Sequence, residues 1–224
     1  MRFPVQLSHY IDHTLLKPDA QLSHIEKLCN EAKEHSFASV CVNTSYVKTC
    51  ADLLRDSSVK VCCVVGFPLG AMDTNSKAFE TQTAILNGAN EVDMVVNIGA
   101  LKDRRLDVVF TDIRAVVEAA QGNTVKVIIE TALLSQDEKV LACQASLNAG
   151  AHFVKTCTGF NGGGATVEDV QLMKSVVGDK LEVKASGGIK TKEQAIALIQ
   201  AGATRLGTSS GVALVQGQNV QGGY

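Results

Sequence analysis

The chain has 224 residues, 46% hydrophobic and 20% charged, with a formal net charge of −2. That composition belongs to a folded globular chain and argues against intrinsic disorder. The near-neutral charge gives no basic field for nucleic acid or an anionic membrane. With no Trp and only ten Phe and Tyr, an aromatic platform for stacking bases is not expected either. Seven Cys cannot all pair internally. The N-terminal Met-Arg-Phe-Pro-Val-Gln has no apolar core of signal-peptide length, and no apolar run approaches the ~18 residues of a membrane span. The expectation is a cytoplasmic protein with reduced thiols.

In chain order, a weak strand candidate at 10–14 precedes clearer ones at 39–42, 60–65, 91–95, 125–130, 152–155, 181–184 and 204–206. Several are nearly continuous apolar runs, such as Val61-Cys62-Cys63-Val64-Val65. Strands of a parallel sheet covered by helices read this way. Helices are expected between them. Ser23-x-x-Glu26, Ser135-x-x-Glu138 and Thr191-x-x-Gln194 have the capping-box spacing. Val167, Val170, Met173 and Val177 line one face of another helix.

No linker divides the chain, so one domain is expected: a barrel over residues 1–210, then a last helix remnant and a flexible Gly-rich tail over 211–224. Uninterrupted alternation fits either an open doubly wound sheet or a closed (β/α)8 TIM barrel. A weak repeat favours closure. Gly88-Ala89-Asn90-Glu91-Val92-Asp93, Gly150-Ala151-His152-Phe153-Val154-Lys155 and Gly202-Ala203-Thr204-Arg205-Leu206-Gly207 share a frame about two units apart. They fall on the fourth, sixth and eighth strands. Alternate barrel strands feed one interior layer, so Asp93, Lys155 and the side-chain-free Gly207 should meet.

Lys155 ends an apolar strand, and burying an ammonium is costly. Lys184 ends the next strand. With adjacent strands ~4.8 Å apart, two ammonium groups converge and repel, and one lowers that cost by losing its proton. The resulting neutral amine forms Schiff bases with carbonyl compounds. Asp93 is placed to orient Lys184 and a water for proton transfer. Ser186-Gly187-Gly188-Ile189 and Gly207-Thr208-Ser209-Ser210-Gly211 follow the last two strands, where barrels often bind phosphate. The five His show no metal-ligand spacing, so no metal or other cofactor is expected. Most Cys read as core fillers. Cys41 and Cys157, near strand ends, are candidates for accessible thiols.

Five segments together carry a resemblance. Ile11-Asp12-His13-Thr14-Leu15-Leu16-Lys17-Pro18, Val65-Gly66-Phe67-Pro68-Leu69-Gly70, Glu91 to Gly99, Phe153 to Phe160 and Val183 to Ile189 resemble, in order, the signature segments of the deoxyribose-phosphate aldolase family. The resemblance implies a class I, metal-independent aldolase. It would reversibly cleave 2-deoxy-D-ribose 5-phosphate to D-glyceraldehyde 3-phosphate and acetaldehyde. By position, it makes Lys155 the Schiff-base lysine and Asp93 and Lys184 a proton-relay pair. Thr158, Gly187, Gly188, Ser209 and Ser210 would line the substrate and its phosphate, joined by Gly207 in the loop read above. Tyr224 matches a C-terminal tyrosine that assists proton transfer in some members. Some members have Lys where this chain has Phe160, which leaves phosphate to the two loops. Homo-oligomerisation is compatible with the family. A transaldolase-like Schiff-base enzyme and a sugar-phosphate-binding module without turnover are the rival readings.

Overall fold

The computed structural model describes residues 6–218. Eight parallel strands close a barrel in sequence order. They are β1 (Ile11–Leu15), β2 (Ser39–Val42), β3 (Lys60–Val65), β4 (Glu91–Val95), β5 (Thr124–Ile128), β6 (Phe153–Lys155), β7 (Glu182–Ser186) and β8 (Arg205–Thr208). The helices outside are α1 (Leu22–His35), α2 (Val47–Leu53), α3 (Thr74–Leu86), α4 (Ile98–Lys102), α5 (Leu106–Ala119), α6 (Gln136–Asn148), α7 (Val167–Val177), α8 (Lys192–Gln200) and α9 (Gly211–Val215). The closed barrel is the expected fold, and no helix among the described residues is long and apolar enough to cross a membrane.

The strands have two unlike faces. Outward residues such as Val61, Cys63, Val92, Met94, Val125, Val127, Val154 and Val183 join Ile25, Ile113, Met173 and Leu198 of the helices in one continuous apolar layer. Inward residues are largely polar: Asp12, Glu91, Asp93, Lys126, Lys155 and Lys184 are all buried. Leu16, Cys41, Cys62 and Val64 form a small apolar cluster of their own on the β1–β3 side. Barrel interiors are commonly filled with branched aliphatic residues, so this one departs from the usual content.

Local signals explain most boundaries. Ser135 and Glu138 exchange backbone hydrogen bonds at the start of α6, as do Thr191 and Gln194 at α8. These reciprocal bonds satisfy N–H groups that the first helical turn leaves free. At α1 the box is shifted: the helix begins at Leu22, and Gln21 and His24 make the reciprocal pair in place of Ser23 and Glu26. Gln21, in extended backbone after a turn closed by the Ala20 N–H donating to the Lys17 carbonyl, takes the cap position there.

Gly88, Gly150 and Gly202 have φ of 104°, 82° and 118°. Each ends a helix in a conformation that suits glycine and delivers β4, β6 and β8 in the shared frame. The Cα partners Asp93↔Lys126, Ile128↔Lys155 and Lys155↔Lys184 fix the relative heights of the interior charges.

α3 and α5 are tied by an ion pair with no solvent exposure, Lys77 Nζ to Asp112 Oδ2 at 2.6 Å. Lys77 also donates to the Val95 carbonyl at 3.0 Å, and Thr74 Oγ1 donates to Asp112 Oδ1 at 2.9 Å. Removing one partner strands a buried charge, which costs about 3–5 kcal/mol. Asp112→Ala should therefore lower the unfolding free energy in urea by about that amount. The double change Lys77→Met with Asp112→Leu should recover most of it. Equal losses in both variants would refute a stranded charge as the cause.

Candidate active site

Asp93, at the middle of β4, is the centre of the interior. Its Oδ2 accepts from Lys155 Nζ at 2.8 Å and from Lys184 Nζ at 2.7 Å. Its Oδ1 accepts from Lys126 Nζ at 2.9 Å and from Cys62 Sγ at 3.1 Å. The meeting of Asp93 with Lys155 expected from the repeat, and of Lys155 with Lys184 expected from their adjacent strands, is therefore present. Lys126, which the sequence reading passed over between Val125 and Val127, adds a third ammonium.

A second tier lies toward the barrel floor. Lys184 Nζ is 2.5 Å from Asp12 Oδ2, and Lys126 Nζ is 2.6 Å from Glu91 Oε2. Arg205 clamps Asp12 Oδ1 at 2.7 Å and Glu91 Oε2 at 3.0 Å. The Phe153 ring lies against the Lys126 ammonium and the Arg205 guanidinium at 5.8 and 5.6 Å. None of Asp12, Glu91, Lys126 and Arg205 was singled out from sequence. Their signal is the period-two alternation of polar inward and apolar outward residues, as in Glu91-Val92-Asp93-Met94.

The electrostatics follow from this packing. Burial alone would push the Asp93 carboxyl up, but the ammonium groups of Lys126, Lys155 and Lys184 hold it well below the usual range. Asp12 is likewise held low, against its burial, by Lys184, Arg205 and Lys126. Burial pulls Lys184 down, yet Asp12 and Asp93 leave it raised above the ordinary lysine value. Lys126 is raised in the same way, chiefly by Asp93. Lys155 is the least enclosed of the three lysines, at 3% exposure against 0% for the other two. It pairs with Asp93, through an oxygen that Lys184 shares.

Gly207 takes part by lacking a side chain. A Cβ there would meet Ser186 Cβ at 2.9 Å and Lys184 Cε at 3.1 Å. Its bareness leaves room for the Lys184 stem.

Beside the lysines, at the C-terminal end of the strands, lies a cavity of about 230 Å³. Gly187, Gly188, Gly207, Ser209 and Ser210 line it, as the two-loop reading expected, together with Lys190. The small-residue loop signal ends at Ile189, one residue short of this cation. Thr158 is not among the residues that line this cavity. Its hydroxyl and N–H both donate to the buried Glu130 carboxylate, at 2.5 and 3.0 Å, and the cavity wall near it is made by Gly159. Asn161 Nδ2 also donates to Glu130 at 2.9 Å. Glu130 has φ of +57°, so it leaves the strand direction and turns to this loop. Tyr224 lies outside the described residues.

Cys41 and Cys157 are fully buried, which corrects the expectation of accessible thiols. Cys41 packs inward on β2 with Leu16, Cys62 and Val64, and the Cys157 thiol meets the Thr131 hydroxyl at 3.4 Å. All seven cysteines are free and buried. Cys41, Cys62 and Asp93 bring ligand atoms within 4.8 Å of one another, but three ammonium groups already face that carboxylate. Such a positive surrounding disfavours a cation.

A (β/α)8 barrel with paired interior lysines beside an anion-sized pocket defines a class of carbon–carbon lyases, and comparison with known proteins agrees. Residues 7–217 match the model of the DeoC/LacD family aldolases, and the chain belongs to that family. It is 76% identical to the deoxyribose-phosphate aldolase of Bdellovibrio bacteriovorus over 98% of this chain and all of that one. It is 59% identical to deoxyribose-phosphate aldolase 1 of Bacillus licheniformis over 98% and 99% of the two chains. Among solved structures, the deoxyribose phosphate aldolase of Aeropyrum pernix superposes with a TM-score of 0.88 at 33% identity, covering 94% of this chain and 89% of that one.

The depressed Asp93 and Asp12 carboxyls set an acid limit. Their contribution to stability is fully present above the ordinary aspartate value of about 3.9 and is lost as pH falls toward their lower folded values. The urea midpoint should therefore fall steeply below about pH 4. Asp93→Asn should start from a lower midpoint and fall less steeply. An unchanged acid slope in that variant would show that Asp93 is not a source of the limit.

Proposed function

We propose that this chain reversibly cleaves 2-deoxy-D-ribose 5-phosphate to D-glyceraldehyde 3-phosphate and acetaldehyde through a Schiff base on Lys155. The observation that carries the assignment of roles is the sharing of one Asp93 oxygen by Lys155 and Lys184 at 2.8 and 2.7 Å. The ion-paired interior holds four cations, Lys126, Lys155, Lys184 and Arg205, and three carboxylates, Asp12, Glu91 and Asp93. Release of one proton balances the set. Lys184 and Lys126 each touch two carboxylates closely, whereas Lys155 is paired through the shared oxygen. Schiff-base formation needs a neutral amine, and Lys155, the least enclosed of the three lysines, is assigned that part.

The neutral amine adds to the open-chain sugar carbonyl, and loss of water leaves an iminium. That cation draws electrons as the bond between C2 and C3 of the sugar breaks. The C3 hydroxyl proton leaves to a base, glyceraldehyde 3-phosphate departs, and an enamine remains on Lys155. Asp93 and Lys184 order a water that protonates the enamine carbon, and hydrolysis frees acetaldehyde. Holding donor and acceptor in one buried geometry is worth several kcal/mol of the barrier. Tyr224 is retained as an assistant at that proton transfer, on the resemblance alone. No metal or cofactor enters this scheme.

The substrate phosphate sits in the cavity between the β7 and β8 loops, against Gly187, Gly188, Ser209 and Ser210. Lys190 lines the same space and supplies the cation that Phe160 does not. Thr158 contributes through Glu130, by holding the covering loop. Gly207 contributes by clearance for Lys184. A cytoplasmic location accords with seven free thiols. Self-association accords with the exposed Phe79 and Leu86 on α3 and with the Aeropyrum pernix relative, which is described as tetrameric.

Borohydride reduction in the presence of acetaldehyde should add one ethyl group to the protein, mapped to Lys155 by peptide mass. Lys155→Leu should take no label, and a label that persists there would reject the assignment. Lys184→Leu should slow trapping by at least about 100-fold, the lower range of a general acid–base contribution. Preference for dihydroxyacetone over acetaldehyde in the same assay would favour a transaldolase-like donor.

Lys190→Ala should raise KM for the phosphorylated sugar about tenfold, a partly exposed charge contact of about 1.4 kcal/mol. It should leave acetaldehyde trapping unchanged. An equal effect on both would place Lys190 in the chemistry and not at the phosphate.

A further inference from the structure

The barrel interior contains a thiol pair that the aldol chemistry does not use. Cys41 on β2 and Cys62 on β3 are register partners on adjacent strands, with the pairing Cys41↔Cys62. Both point inward in the same small cluster, and neither has solvent exposure. Their sulfurs and an Asp93 oxygen lie within 4.8 Å of one another. Neighbouring strands are ~4.8 Å apart, inside the Cα separation of roughly 4.4–6.8 Å that a disulfide requires. Cys62 also touches the lysine site directly. Its Sγ donates to Asp93 Oδ1 at 3.1 Å and accepts from Lys126 Nζ at 3.4 Å.

We propose that Cys41 and Cys62 form a reversible disulfide inside the barrel that switches the lysine site off. The oxidant is a peroxide. The Cys41 thiolate attacks one peroxide oxygen, the O–O bond breaks, and the departing hydroxide takes a proton to become water. The resulting Cys41 sulfenic acid is attacked by the Cys62 sulfur. The S–S bond forms, the S–O bond breaks, and the second hydroxide takes the Cys62 proton. Two thiols lose two electrons and two protons, and the peroxide is reduced to two waters.

Cys41 is the better first nucleophile. Its pKa is lowered, chiefly by the neighbouring Cys62 thiol, and the Lys184 ammonium favours its thiolate against burial and Asp93. Burial pushes Cys62 well up, which suits it to stay a thiol until the sulfenic acid forms. A peroxide is small enough to enter by the barrel mouth through which a carbonyl substrate reaches Lys155. Closing the sulfurs to about 2.05 Å rotates Cys62 off Asp93. The carboxylate then loses one of the two donors that hold Oδ1, which frees it to turn about the oxygen that Lys155 and Lys184 share. The switching half of the proposal rests on the Schiff-base reading above; the cross-link itself does not.

The test uses the full chain with hydrogen peroxide as probe. Non-reducing digestion and mass spectrometry should show a Cys41–Cys62 cross-link and the loss of two hydrogens. Acetaldehyde trapping and sugar-phosphate cleavage should fall at least tenfold in proportion to the cross-linked fraction and return with dithiothreitol. Cys62→Ala and Cys41→Ala, each scored against its own untreated rate, should lose the dithiothreitol-reversible component. The other close pair, Cys29 of α1 and Cys50 of α2, is the internal control. A cross-link confined to Cys29 and Cys50, or reversible inactivation with Cys41 and Cys62 both free, would overturn the proposal. So would a Cys41–Cys62 cross-link that leaves the rates unchanged. Failure of the untreated enzyme to trap acetaldehyde would instead refute the Schiff-base reading, because cross-link mapping does not depend on activity.

Discussion

One carboxylate organises this protein. Asp93 receives ammonium groups from β5, β6 and β7 across the closed barrel. At an effective dielectric of about 20, a unit pair at 2.8 Å attracts by about 6 kcal/mol. Removing each ion from water costs several kcal/mol. No single lysine–aspartate pair decisively repays two desolvated ions, and the three lysines also repel one another. The arrangement closes because Asp12 and Glu91 feed charge back to Lys184 and Lys126 from below, and Arg205 binds both of those acids. The interior is therefore an ionic lattice whose members depend on one another, and its geometry is carried by strand register.

That dependence explains why the outside of the barrel is so uniformly apolar. The ionic interior provides specificity but little net stability. Stability has to come from the layer between strands and helices, where valines, isoleucines and alanines of both pack without solvent. The two faces of each strand thus have separate tasks. The outer face holds the barrel closed, and the inner face holds charges at fixed heights. The C-terminal loops are left to shape the opening, which is where barrels of this kind build their sites.

Sequence made the outer task legible and the inner one only in part. Strands with apolar runs stood out, and β2, β3 and β4 were bounded as found. Lys155 and Lys184 stood out because each follows a valine near the end of a recognised strand, where a cation has no local partner. Asp93 stood out through the repeated Gly-Ala frame. Glu91 and Arg205 did not, because they open their strands, where charge is expected to meet solvent, and Lys126 did not, because it lies in mid-strand outside the repeated frame. Only barrel closure turns those positions inward onto one another. Asp12 was hidden in the weakest strand. Glu130 was read as the end of a strand, whereas its left-handed φ takes it into the loop that holds Thr158. Such a turn is set by tertiary contacts with Asn161 and Thr158 and has no local signature.

The ionic interior also bears on how Schiff-base chemistry can run in a closed space. A lysine that forms an iminium must lose a proton before attack, and later steps must deliver protons at carbon and nitrogen. In an apolar pocket each transfer would create an isolated charge at prohibitive cost. In the proposed scheme, a proton leaving Lys155 moves within a set of carboxylates and amines that already carries compensating charge, and the iminium that would replace the ammonium is again a cation beside Asp93. The charge seen by that carboxylate is thus nearly the same before and after the covalent step. A site built this way needs little rearrangement as the reaction proceeds, which is the condition under which fixed dipoles and charges lower a barrier most. The rigid register of β4, β6 and β7 is the structural expression of that condition, and the bare Gly207 on β8 is the space it requires.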